Sequence, residues 1–395
     1  MSNIADVVVL SATRTAIGTF GGSLKDTCPA DLATVTLKES IARSGLEPAA
    51  VQHVVFGNVI HTEPRDMYIS RVAAVNAGLS VSTPAMSLNR LCGSGLQAVV
   101  SAAQMIMLGD IDVAAAGGTE NMSSAPYWLP GARWGQRMGD GRIIDAMLSA
   151  ITDPFSQCHM GVTAENVAAK YKITREDQDA LAIESHKRAV NAIDKGYFKK
   201  QIVPVGIKRK KETVQFDTDE HVRRDVKLND LEKLRPVFKE DGSVTAGNAS
   251  GINDGAAAVV LASAGYAEKY ELKPMARLLG YAHSGVDPDY MGMGPVPAVR
   301  KVLEMCNLGV ASMDVIELNE AFAAQALAVA RELDLPGDRT NPNGSGIALG
   351  HPIGATGCIV TVKALYELQR IEGRYALVSM CIGGGQGIAA IFERL

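Results

Sequence analysis

The sequence predicts a layered α/β fold in which one unit is built twice. Three observations carry this. Short apolar runs alternate with stretches of helical periodicity along most of the chain. The composition is 47% hydrophobic but only 5% aromatic, so the core must come largely from Ala, Val, Ile and Leu, as in tightly stacked helices and sheets. The order of elements near the start recurs near the end, the mark of an internal repeat. At 395 residues the chain exceeds what one core usually holds, so two or three subdomains are expected.

Residues 7–10 read as a first strand, followed by a loop holding Arg14, Gly18, Gly21 and Gly22. Residues 31–44 have helical periodicity and stop before Gly45. A strand over 54–57, a helix over 70–77 and a strand over 85–88 come next. Residues 95–108 are apolar almost all round, which predicts a buried helix. A strand over 113–116 then ends at Gly117 and Gly118. Near the end, a strand over 277–280, a helix over 296–305, a strand over 314–318 and a helix over 323–332 lead to a glycine-rich loop around His351. A helix over 357–370, a strand over 375–380, a glycine turn and a strand over 387–392 close the chain. Cys92 and His351 each precede a helix that feeds a strand ending in glycines.

The expected division is an N-terminal half, 1–120, completed by 251–272, an inserted domain, 121–250, and a C-terminal half, 273–395. The insert holds both tryptophans, Trp128 and Trp134. Residues 187–235 contain 14 Lys or Arg and 8 Asp or Glu, a net of +6. The whole chain carries −4, so the remainder sums to −10. A basic insert in an acidic protein fits a local anionic ligand. A solvated face with the loop Lys208-Arg209-Lys210-Lys211 is the alternative, weaker for the pair Arg223-Arg224.

The net charge argues against a general nucleic-acid partner. No run of 18 apolar residues marks a membrane span, and residues 1–10 lack the basic start and long apolar stretch of a signal peptide. The final residues, Phe392 to Leu395, are not a peroxisomal address. The six cysteines, at 28, 92, 158, 306, 358 and 381, show no C-x-x-C pair, so no metal site or redox motif is expected. A reducing cytoplasm is the expected location.

The run Asn89-Arg90-Leu91-Cys92-Gly93-Ser94-Gly95 sets a cysteine between an extended segment and an apolar helix. A free cysteine on a helix is most often a small core hydrophobe. In a helix interior, however, Gly93 and Gly95 would each cost about 1 kcal/mol relative to Ala. At a strand-to-helix turn they let backbone and substrate approach. A thiol there meets unpaired helix N–H groups, which favour its nucleophilic thiolate. His351, between Gly350 and Pro352, is a candidate base for it. Cys381 follows an apolar strand and precedes three glycines, where a thiol can move a proton and free N–H groups, Gly383 among them, can hold an oxyanion. Asn319 ends a strand; alone, it suits an N-cap for the helix over 320–332.

Six motifs in this order resemble the thiolases, the acetyl-CoA acetyltransferase or β-ketothiolase family. They are the run around Cys92, His159-Met160-Gly161 with Thr163-Ala164-Glu165-Asn166, Thr245-Ala246-Gly247-Asn248-Ala249-Ser250, Asn319-Glu320-Ala321-Phe322, Gly350 to Gly354, and Cys381 to Gly385. The resemblance spans essentially the whole chain and is strong toward the bacterial, biosynthetic, broad-chain β-ketothiolases of polyhydroxyalkanoate synthesis. It implies two five-stranded halves in a five-layered αβαβα fold with an inserted loop domain. It implies reversible Claisen condensation of acetyl-CoA with a short acyl-CoA. Cys92 would be the acylated nucleophile, His351 its base and Cys381 the base for the α-proton. Asn319, through a water, would complete one oxyanion hole with His351. The N–H groups of Cys92 and Gly383 would form the other. Coenzyme A would run past Arg223, Ser250, His159, Met160, Leu148, Ala246, Gly247, Ala321 and Phe322. No permanent cofactor is implied, and a homotetramer is. Two rivals are a ketoacyl-synthase-like condensing enzyme, which resembles a Cys-His-His pattern, and an inactive binding protein of the same fold.

Overall fold

The computed structural model describes residues 5–209 and 212–395. Lys210 and Lys211 of the basic loop lie outside the described residues. The N-terminal half contributes β1 (Val7–Arg14), β2 (His53–Gly57), β3 (Ala85–Leu88), β4 (Val113–Asn121) and β5 (Asn253–Ser263). The C-terminal half contributes β6 (Ala276–Gly285), β7 (Val315–Leu318), β8 (Tyr375–Ile382) and β9 (Gln386–Arg394). These strands join in the order β7-β8-β9-β6-β1-β5-β4-β2-β3, with the short strand Gly18–Thr19 beside β5.

This order is a repeat. Counted outward from the junction, the first half runs β1, β5, β4, β2, β3, with two antiparallel and then two parallel pairings. The second half runs β6, β9, β8, β7, with the same alternation, and then Thr340. The fifth strand of this half has shrunk to one parallel bridge, Ile316 to Thr340. The halves meet where β1 pairs with β6 over Val7–Val9. Two five-stranded sheets are therefore fused into one, and the second is a strand short.

Eight helices matter for the layers. In chain order they are α1 (Pro29–Ser44), α2 (Ile69–Asn76), α3 (Ser94–Met107), α4 (Met160–Tyr171), α5 (Arg175–Asp194), α6 (Pro295–Met305), α7 (Ala323–Glu332) and α8 (Ile353–Ile371). Apolar clusters under α1 and α2 cover one outer face, and those under α6 and α7 the other. The largest cluster lies between the two sheets, around α3 and α8. Both middle helices are buried nearly all round, and the polar side chains they carry are bonded within the protein, Gln104 to Tyr281 on α3 and Lys363 to Glu317 on α8. At their crossing, a Cβ on Gly95 would stand 2.6 Å from the Cys358 nitrogen, and one on Gly357 would strike the Leu96 backbone. Only glycine permits this approach.

Several boundaries differ from the sequence reading. β1 continues to Arg14, which is a fully buried strand end and not a loop residue. Its guanidinium meets Asp219 at 2.7 and 2.9 Å and Gln201 at 2.7 Å. β4 runs through Gly117 and Gly118 to Asn121. Those glycines do not stop the strand; a Cβ on Gly118 would collide with the carbonyl of Gly354. α8 starts at Ile353, directly behind Pro352. Asn319 caps no helix, because Phe322 holds the N-cap position of α7. β5 is buried on both faces, so it shows no alternation to mark it.

The chain leaves the sheet after β4 and returns at β5. The insert between them docks through α5, whose start is closed by a capping box between Thr174 and Asp177. At the corresponding place in the second half, β8 and β9 are joined only by Gly383-Gly384-Gly385. Because Arg14 and Asp219 are both fully buried, removing one partner strands the other charge. Asp219→Ala should lower unfolding free energy by about 3–5 kcal/mol in urea titrations.

Candidate active site

The strand ends and two helix starts of the halves face a common cavity of about 390 Å³. It is bordered by Cys92, His351, Cys381 and Gly383 together, although these lie far apart in the sequence. Cys92 sits in a short turn, Leu91–Gly93, between β3 and α3. Leu91 adopts φ +45°, a strained value for a side chain of its size, and the kink turns Cys92 into the cavity. The expected close approach of backbone is found at Gly95, and a Cβ on Gly93 would meet Ile382 at 2.5 Å, so both glycines serve packing between the halves.

Burial pushes the Cys92 thiol up to about 11, against the opposing N–H groups of Gly383 and Cys92 itself; the charge of Glu120 adds to the rise. The N–H groups expected to favour the thiolate do act in that direction, but desolvation in an apolar pocket outweighs them. Burial also lowers His351, to about 4. Both partners rest neutral at pH 7.

The His351 tautomer follows from its neighbours. Thr356 donates its hydroxyl to the Pro352 carbonyl at 2.8 Å. Its oxygen is then free to accept from His351 Nδ1–H, 2.7 Å away. The proton sits on Nδ1, and Nε2 is the basic nitrogen. Asn319 Nδ2 lies 3.4 Å from Nε2. Asn319 borders not the large cavity but a pocket of about 10 Å³ behind it, roughly the size of one water. Its buried Oδ1 has no hydrogen-bond partner among the described residues.

Cys381 is buried at the end of β8, and desolvation, with the nearby Cys92, drives its thiol upward. The turn beyond it needs Gly384 and Gly385 at φ +77° and +80°. Its triple glycine is thus first a hairpin requirement, with Gly383 alone facing the Cys92 sulfur.

Six of the nine proposed ligand contacts border the cavity: His159, Met160, Ala246, Ser250, Ala321 and Phe322. His159 caps α4, accepting from Gly161 N–H at 3.0 Å. Its ring stacks on Phe238 at 4.6 Å, and Phe238 meets Phe322 edge-on. Burial lowers His159, so this wall is neutral and apolar. Leu148, Gly247 and Arg223 do not border the cavity. Leu148 is half exposed nearby, on the short helix Ala146–Ala150. Gly247 packs under Leu231 and Leu234. Arg223 is exposed, with its backbone N–H donated to His186. Its charge helps burial hold His186 and His221 down near 4.

Sequence reasoning missed Thr356, Asn253 and Glu120. Asn253 accepts from His351 N–H at 2.9 Å. The signal for Glu120 was present, since an acid inside an apolar strand run is rarely idle. A resting neutral pair makes Cys92 alkylation pH-dependent in a defined direction. Carbamidomethylation of Cys92, followed by peptide mass, should accelerate from pH 6 to beyond pH 9. A preformed ion pair would instead plateau from about pH 6.

The chain matches the sequence profiles for the thiolase N-terminal domain over residues 7–265 and the thiolase C-terminal domain over 272–394. It is 64% identical to the beta-ketothiolase BktB of Cupriavidus necator, covering 99% of each chain. Identity to the human mitochondrial 3-ketoacyl-CoA thiolase is 44%, over 100% of this chain and 99% of that one. The crystal structure of the Bacillus anthracis acetyl-CoA acetyltransferase superposes with a TM-score of 0.98, at 46% identity and full coverage of both chains. The human mitochondrial 3-ketoacyl-CoA thiolase in complex with CoA superposes with a TM-score of 0.96, over 100% of this chain and 99% of that one.

Proposed function

This chain belongs to the thiolase family, and from that premise we propose that it is an acetyl-CoA acetyltransferase or β-ketothiolase working through an acyl-Cys92 intermediate. It joins acetyl-CoA to acetyl-CoA or a short acyl-CoA and releases free CoA, and it runs the reverse thiolysis. The observation that carries this reading is the meeting of Cys92, His351, Cys381 and Gly383 around one cavity.

The steps balance without a resident cofactor; CoA enters and leaves as substrate. Cys92 attacks the thioester carbonyl while its proton passes to His351 Nε2. The oxyanion is held by the N–H groups of Cys92 and Gly383, and such donors are worth about 3–4 kcal/mol each. Cys381 gives its proton to the departing CoA sulfur and becomes a thiolate. Desolvation makes that thiolate a strong base, suited to the α-proton of the second acetyl-CoA. The resulting enolate is held by His351 and a water on Asn319, whose Nδ2 stands 3.4 Å from His351 Nε2. Its carbon attacks acyl-Cys92, and the Cys92 sulfur recovers its proton from His351.

The pantetheine arm lies along His159, Met160, Ala246, Ser250, Ala321 and Phe322. Leu148, Gly247 and Arg223 act outside the cavity, Arg223 as a cation for the nucleotide phosphates. A ketoacyl synthase is disfavoured because Asn319 and Cys381 stand where that pattern would differ. Free CoA thioesters should therefore suffice without a carrier protein.

A homotetramer is the proposed assembly. Its support is a run of exposed apolar side chains on the insert, including Trp128, Met138 at 95% exposure and Trp134 at 83%. A second copy would cover these. Polyhydroxyalkanoate precursor supply is the proposed context, supported by the 64% relative. A reducing cytoplasm suits six free cysteines. Among the described residues no helix is long and apolar enough to cross a membrane.

Thiolysis of acetoacetyl-CoA and 3-ketovaleryl-CoA, compared at steady state, tests the function: both should be cleaved, and activity on neither would end the proposal. Cys381→Ala should still acylate, because the CoA sulfur can leave as a thiolate without an acid, but exchange the acetyl-CoA α-proton at least ~10²-fold more slowly in deuterium oxide. Arg223→Ala should raise the KM for CoA with little change in kcat.

A further inference from the structure

The repeat gives each catalytic strand end a counterpart in the other half. In the second half Leu318 pairs with Ser379, with Asn319 following the first and Cys381 two residues beyond the second. In the first half Gly57 pairs with Gly118, with Asn58 following the first and Glu120 two residues beyond the second. Asn58 and Glu120 therefore occupy the positions of Asn319 and Cys381. Neither borders the cavity, and the mechanism above uses neither.

What Glu120 does instead is visible in its contacts. It is fully buried, and desolvation pushes its carboxyl up to about 8, but four donors and no acceptor surround its two oxygens, an arrangement that fits the carboxylate. Oε1 accepts from Asn58 Nδ2 and Ile60 N–H, both at 3.0 Å. Oε2 accepts from Val59 N–H at 3.1 Å and Gly354 N–H at 2.9 Å. Gly354 is the second residue of α8, so the carboxylate closes the N-terminus of the helix that follows His351. A Cβ on Gly354 would stand 2.5 Å from Oε2. Beside it, Asn253 of β5 accepts from His351 N–H at 2.9 Å and donates to the Gly18 carbonyl at 3.0 Å. Gly350, at φ +107°, comes so close that a Cβ there would lie 2.5 Å from Asn253 Cγ. Two N–H groups three residues apart on the His351 loop are thus gripped by side chains from the opposite half. That half also carries Cys92.

We infer that Glu120, together with Asn253, is a positioning residue for His351: a clamp across the repeat that sets the imidazole against the Cys92 sulfur. The duplicated strand-end pair has divided its work. Asn319 and Cys381 face the reacting atoms, while Asn58 and Glu120 hold the loop that delivers the base. This inference rests on the reading of His351 as the base for Cys92. Glu120→Gln turns one accepting oxygen into a donor facing two N–H groups, so one side of the clamp must open. Misplacement of a catalytic group by about 1 Å costs roughly 10²-fold.

The test is a double-mutant cycle on the single-turnover acylation rate with acetyl-CoA, using Glu120→Gln, His351→Ala and both together. The expected result is a loss of roughly 10²-fold for Glu120→Gln alone and less than about 3-fold in the His351→Ala background. Equal losses in both backgrounds, or no loss in the first, would overturn the clamp. If His351→Ala itself acylates normally, the assignment of the base fails first, and the clamp fails with it. Should Glu120→Gln not yield folded protein, Asn253→Ala is put through the same cycle and judged by the same criterion.

Discussion

The close crossing of α3 and α8 is the constraint on which the site depends. Gly95 and Gly357 let the two helices touch backbone to backbone between the sheets. Each helix starts beside the cavity, and each carries one partner of the proposed nucleophile–base pair just before its first turn. A side chain at either glycine would push the helices apart and separate Cys92 from His351. The start of α3 leaves the Cys92 N–H facing the sulfur, whereas the start of α8 is closed by the Glu120 carboxyl.

The repeat explains how so compact a site arises. Two copies of one unit, fused edge to edge through β1 and β6, bring equivalent strand ends and helix starts face to face. The copies then differ where chemistry requires it. Cys92 stands opposite His351, and Glu120 opposite Cys381. Between β4 and β5 the chain makes the whole insert, whereas between β8 and β9 it makes three glycines. The insert supplies the apolar wall of His159, Met160 and Phe238, and the glycine turn supplies the Gly383 N–H, the proposed oxyanion donor. Burial then sets the protonation states. It holds Cys92 and Cys381 as thiols and His351 as a neutral imidazole, so charge forms only when substrate is present.

Much of this was legible in the sequence. The alternation of short apolar runs gave the layers, and the recurring element order gave the repeat. The reactive residues stood out because glycines interrupt the pattern around them. The same glycines also misled. Gly117 and Gly118 read as a strand end and are a contact point; Gly93 and Gly95 read as room for backbone and substrate, and the neighbour they admit is the other half. A glycine reports close approach without naming the neighbour. The supporting residues were hidden for a related reason. Asn253 lies on a strand buried on both faces, and three of the four donors around Glu120 are backbone groups that no sequence pattern displays. The desolvation of Cys92 was hidden because local sequence shows the helix start but not the depth of the pocket.

The central claim is that Cys92, and not its neighbour Cys381, carries the acyl group. Brief incubation with acetyl-CoA, acid quenching and peptide mapping by mass spectrometry test it most directly. The account predicts an acetyl thioester on the peptide containing Cys92 that disappears when free CoA is added. An acetyl group on the Cys381 peptide, or product formation with no acylated cysteine at all, would contradict it.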